Sequence, residues 1–174
     1  RACILIAGDI VYEMAHDVPR PERSTGKWVK GSDMDLVVVV DDLFPRELME
    51  RMDEMIYQEK QMVLMAPHLR EEIDYVVKDL ARVREQMGFD TFKHMIACKI
   101  LQEGTLLCGR QDLFNAIKAM LRERGITEKL IEMEDRAAIF RRDAEEYLLK
   151  EDPEKIRNEG LYLFYPTEES EEFE

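Results

Sequence analysis

The chain has 174 residues, enough for one domain, or one domain with a small appendage, around a sizeable core. Apolar residues make up 45% of it and charged residues 36%, a soluble globular composition, and no apolar run approaches the roughly 20 residues that a membrane span requires. The net charge of −13 repels a phosphate backbone and disfavours generic duplex binding.

Cys3-Ile4-Leu5-Ile6-Ala7 reads as a buried strand ending at Gly8, with a short helical segment around Ile10 to Ala15. His16 to Gly31 holds Pro19, Pro21, Gly26 and Gly31 and reads as a long loop. Arg20, Arg23, Lys27 and Lys30 make this loop an island of positive charge against one acid, Glu22. Met34 to Val40 is a valine-rich strand expected to be buried on both faces. Asp41 and Asp42 follow it as turn or capping residues. Pro45 opens a helix whose apolar stripe runs through Leu48, Met52, Met55, Ile56, Met62 and Val63, and Pro67 ends it. Ile73 to Val77 is a third strand. A helix from about Leu80 to Met87 follows, with Asp79 as a surface or cap residue. Phe92 to Leu101 fits helix or strand, and Thr105 to Cys108 a short strand. Asp112 to Arg124 reads as a helix closed by Gly125. Thr127 is placed as the N-cap of a long helix to about Lys150, striped by Leu130, Met133, Ala137, Phe140, Ala144, Tyr147 and Leu148. That helix is expected to pack on the front part or to form an oligomer contact. Gly160 to Tyr165 reads as an edge strand or an extended arm, and Glu168 to Glu174 as a solvated acidic tail.

The order divides the chain into residues 1–110, alternating strands and helices, and residues 111–174, a helical extension with the acidic tail. Cys3, Cys98 and Cys108 lack metal-ligand spacing and read as reduced thiols, which favours a cytoplasmic location. His16, His68 and His94 form no paired motif, so a zinc site has little weight. The chain starts at Arg1, a core strand is read immediately after it, and no signal peptide is expected from its apolar start. The expectation is a longer gene product with an upstream segment or domain.

Asp33 and Asp35 stand two apart at the start of a strand, so both carboxylates point to one face. Two carboxylates on one face repel unless a cation lies between them, and Mg²⁺ accepts carboxylate and phosphate oxygens together. Gly31-Ser32 ahead of the pair permits a tight turn and close approach of a phosphate. Asp74, alone in the apolar strand Ile73-Asp74-Tyr75-Val76-Val77, is the candidate third carboxylate.

The run Gly31-Ser32-Asp33-Met34-Asp35-Leu36-Val37-Val38-Val39 resembles the core motif of the DNA polymerase β-like nucleotidyltransferase superfamily. Asp74 stands where that family places its third carboxylate. Ile100 to Gly109 is similar to a stretch that follows in its smaller prokaryotic members. The resemblance covers roughly residues 3 to 110. It implies an α+β fold, with a small mixed sheet flanked by helices, and transfer of a nucleoside monophosphate from an NTP to a hydroxyl. It also implies two Mg²⁺ ions held by Asp33, Asp35 and Asp74. The pattern departs at Gly8-Asp9, where family members carry Gly-Ser for triphosphate binding. The loop residues Arg23, Ser24, Thr25, Lys27 and Lys30, with Arg20, Gly31 and Ser32, are then the candidate phosphate contacts. Trp28 is expected to pin that loop by packing, with stacking on a base as the alternative. The acidic balance favours a protein or small-molecule acceptor over a long nucleic acid, and no membrane partner is expected. The alternative is a catalytically degenerate nucleotide-binding or scaffold domain of the same fold within a larger protein.

Overall fold

The computed structural model describes residues 1–13, 18–22, 25–30 and 34–160. Among the described residues, six α-helices and a four-stranded mixed sheet make an α+β architecture. Strand β1 (Ala2–Ala7) leads into a 3-10 turn (Gly8–Tyr12). Two short strands, β2 (Arg20–Pro21) and β3 (Trp28–Val29), come next, and then β4 (Met34–Val40). Helix α1 (Arg46–Met65) connects β4 to β5 (Ile73–Asp79). Then follow α2 (Leu80–Gln86), α3 (Phe92–Glu103), β6 (Thr105–Gly109), α4 (Gln111–Glu123), α5 (Thr127–Lys150) and α6 (Pro153–Lys155).

The main sheet has the order β5-β4-β1-β6. β4 runs antiparallel to β1 and parallel to β5, and a parallel pair requires a long crossover, which α1 supplies. β6 pairs antiparallel with β1, with a register shift between Ile4 and Leu5. Alternation along the strands separates two faces. Cys3, Leu5, Ala7, Val37 and Val39 form one core with Val83 of α2, Ile96 and Ile100 of α3, Ile117 of α4 and Leu130 of α5. Helix α1 lies over the other face. Val38 and Val40 are also buried, so β4 is covered on both sides.

Three local expectations need correction. The segment placed as a long loop contains the β2–β3 ribbon, with Arg20 opposite Val29 and Pro21 opposite Trp28. Its turn is closed by the Glu22 carboxylate, which accepts from both the backbone N–H and the hydroxyl of Thr25. Arg20 is buried there and pairs with Glu72 at 2.7 Å. Thr127 is the first helical residue of α5, and the N-cap is Ile126. The apolar stripe of α1 is largely uncovered: Leu48, Met55 and Met62 are at least half exposed and only Leu64 is buried. One helix lying alone on a sheet has no second layer against which to bury a wide apolar face. Phe140 in α5 is likewise exposed.

The ambiguous segment resolves as α3, capped by Thr91, whose hydroxyl accepts from the His94 N–H at 3.2 Å. Asp79 caps α2 by accepting from the Arg82 N–H at 2.7 Å. The Asp41 carboxylate accepts from the Leu43 N–H in the turn after β4. Of Gly160 to Tyr165, read as an edge strand or arm, Gly160 ends a π-helical turn (Ile156–Gly160), and the rest, with the acidic tail, lies outside the described residues. Among the described residues no helix is long and apolar enough to cross a membrane.

Candidate functional site

Asp35 and Asp74 are direct partners in the parallel β4–β5 register. Registered residues on parallel strands point to the same face, here the face of Val37 and Val76. Asp35 is buried and Asp74 half-buried. Asp74 belongs to the outer strand of the sheet, and Lys60 of α1 crosses that edge to place Nζ 2.6 Å from Asp74 Oδ1. Asp33, Gly31, Ser32, Arg23 and Ser24 lie outside the described residues.

On the other side of Asp35 stands Gly8, at the end of β1. Its φ is +79°, and a Cβ there would lie 2.7 Å from Asp35 Oδ2. Only glycine lets the backbone come this close in this conformation. The Gly8 N–H points to Glu103 Oε1 at 3.4 Å, and the Tyr12 hydroxyl donates to Glu103 Oε2 at 2.5 Å. Glu103 pairs with Lys99 one turn earlier on α3, at 2.8 Å, with both side chains buried. Burial, then the Glu103 charge and hydrogen bond, push the Tyr12 phenol far above its ordinary value. Asp9, where the resemblance calls for a serine, is held by Arg141 of α5 at 2.7 Å. Its negative charge is therefore matched from within the protein. The Arg141 guanidinium also lies 4.9 Å from the centre of the Tyr12 ring.

The other candidate phosphate contacts are spread along the ribbon. Thr25 is bound to Glu22. Lys27 Nζ lies 2.9 Å from Met65 Sδ. Lys30 is exposed, and its backbone N–H donates to the Arg70 carbonyl. Trp28 packs under the Arg157 guanidinium, 4.7 Å from its ring centre. His68 is exposed.

Among the described residues no group of three or more His, Cys, Asp or Glu stands together to hold a metal. The described part of the candidate centre is thus the pair Asp35 and Asp74. Carboxylate oxygens held in register are the donor type that a hard cation takes, and Lys60 already lies against one of them on Asp74.

Four residues around the carboxylates escaped the sequence reading: Lys60, Lys78, Lys99 and Glu103. Lys78 shares the Asp74 face of β5 and is buried, donating to Gln86 Oε1 at 2.9 Å. Its signal was alternation from Asp74 through Val76. Lys99 and Glu103 had a signal too, a charge pair one helical turn apart in an apolar segment. Lys60 had none, because its reach depends on where α1 lies.

Comparison with protein-family models, with curated proteins and with solved structures gives no match for this chain.

Proposed function

We propose that the chain is a nucleotidyltransferase of the DNA polymerase β-like type, moving a nucleoside monophosphate from an NTP to a hydroxyl acceptor. The observation that carries this reading is the register pairing of Asp35 with Asp74, with Gly8 packed against the Asp35 carboxylate. Asp33, two residues before Asp35 in the sequence, would complete the set. In this reading Asp33, Asp35 and Asp74 hold two Mg²⁺ ions, which supply charge stabilisation at the transferred phosphoryl group and lower the pKa of the attacking hydroxyl. Asp35 is fixed by burial between β1 and β5, so it meets the reacting group without reorganising. Lys60, 2.6 Å from Asp74 Oδ1, would place a positive charge beside the centre for a bound phosphate.

A second reading rests on one observation of its own. Lys60 already supplies positive charge to Asp74, and Arg141 does so for Asp9. A centre neutralised by its own cations suits a catalytically degenerate domain that binds nucleotide or scaffolds a larger protein.

Calorimetry separates the two. ATP, GTP, CTP and UTP are titrated into wild type, Asp33→Ala, Asp35→Ala and Asp74→Asn, with and without Mg²⁺. The transferase reading expects magnesium-dependent binding of at least one triphosphate, lost in each variant. Binding that ignores magnesium, or no binding, overturns it.

A further inference from the structure

Beside the candidate centre, a cavity of about 500 Å³ runs along the outer edge of β5, between α1, α2 and the start of α3. That volume falls in the ordinary range for small-molecule sites, roughly 300–1,000 Å³. Its charge is opposite to that of the whole chain. Lys60, Lys78, Arg82 and Lys93 line it, against the single carboxylate of Asp53. We infer that this cavity is a binding site for a small phosphate-bearing molecule.

The cations are differently committed. Lys78 is 3% exposed and donates to the neutral amide of Gln86, itself buried. Arg82 meets Glu85 one turn away on α2, an exposed pair that is weak in water and yields readily to a better anion. Lys93 has no hydrogen-bond or ion-pair partner among the described residues. Lys60 joins the cavity to Asp74. Because β5 is the outer strand, part of its backbone also faces this side without a neighbouring strand. Tyr57 and Tyr75 flank the cations, giving a flat ring something to lie against.

A polycationic acceptor does not suit such a wall; a phosphate monoester does. Naming that molecule as the acceptor of the proposed transfer rests on the transferase reading, whereas its binding does not.

The test is titration of AMP and of adenosine in EDTA at fixed ionic strength, so that no metal contributes. Wild type is compared with Arg82→Ala/Lys93→Ala, two partly exposed positions on the cavity wall, and circular dichroism checks that the variant is folded. AMP is expected to bind at least tenfold tighter than adenosine, and the variant to lose at least tenfold in AMP affinity. Equal affinity for AMP and adenosine, or unchanged AMP binding by the folded variant, overturns the inference. Should the variant fail to fold, Lys93→Glu alone, with the same expected loss, decides the matter. AMP binding that survives without any magnesium-dependent triphosphate binding would count against the transferase reading alone.

Discussion

Gly8 is packed so closely on Asp35 that a methyl group on its α-carbon would lie 2.7 Å from the carboxylate oxygen. Replacing it tests how tightly that carboxylate is held. Gly8→Ala carries two costs, a left-handed φ of +79° and the displacement of Asp35, together about 1–3 kcal/mol. Gly125→Ala is the control: its φ is +72°, with nothing within 4 Å of the new Cβ. Urea unfolding should show Gly8→Ala as the less stable of the two, and magnesium-dependent triphosphate binding should be lost in it alone. Equal behaviour of the two variants would mean that Asp35 yields easily.

Lys99 and Glu103 form a fully buried pair next to that glycine. Removing one partner leaves a charge in the core, so Lys99→Met is expected to cost about 3–5 kcal/mol. The double variant Lys99→Met/Glu103→Leu should recover much of this, because burying neither charge is cheaper than burying one. Chemical denaturation of the two variants measures the difference. Additive losses would show that the pair does not act as a unit.

Lys118 of α4 donates to the Leu101 carbonyl at 2.8 Å and to that of Gln102, at the end of α3. Burial, only partly opposed by Glu134 and Glu103, pulls its pKa down to about 8 from the usual 10.5. Below pH 8 the group is charged in both folded and unfolded chains, and the folded state bears the whole cost of burying the charge. Between pH 8 and 10.5 the unfolded chain holds the proton more tightly, so stability gained through this group rises with pH. Wild type should therefore gain on Lys118→Met across that window in urea denaturation. Parallel pH profiles would refute the assignment.

How far these features could be read in advance depended on the physics behind each. The two strands carrying Asp35 and Asp74 were legible because their apolar, β-branched runs are dense. A 20-residue helix between them, α1, also leaves room for a parallel crossover. The β2–β3 ribbon was not legible, since strands of two residues have no period to detect. Its signal lay in Glu22 and Thr25, three apart, which close the turn. The exposure of Leu48, Met55 and Met62 was hidden as well. Helical spacing says that a face is apolar, and only the arrangement of neighbouring elements says whether it is covered. Lys78 was missed because the strand was ended at Val77, one residue before its most deeply placed cation.

The register shift where β6 meets β1 has a consequence for how the sheet meets its surroundings. Cys3 and Ile4 pair with Gly109 and Cys108, but Leu5 and Ile6 pair with Leu106 and Thr105, leaving Leu107 without an opposite number. That extra residue turns Leu106 onto the core and leaves Leu107 half exposed. It also breaks the even ladder of N–H and C=O groups that another extended chain would need in order to add itself here. A single supernumerary leucine thus guards one border of the sheet against fibre-like growth, while the opposite border is left regular along seven residues and carries the candidate chemistry.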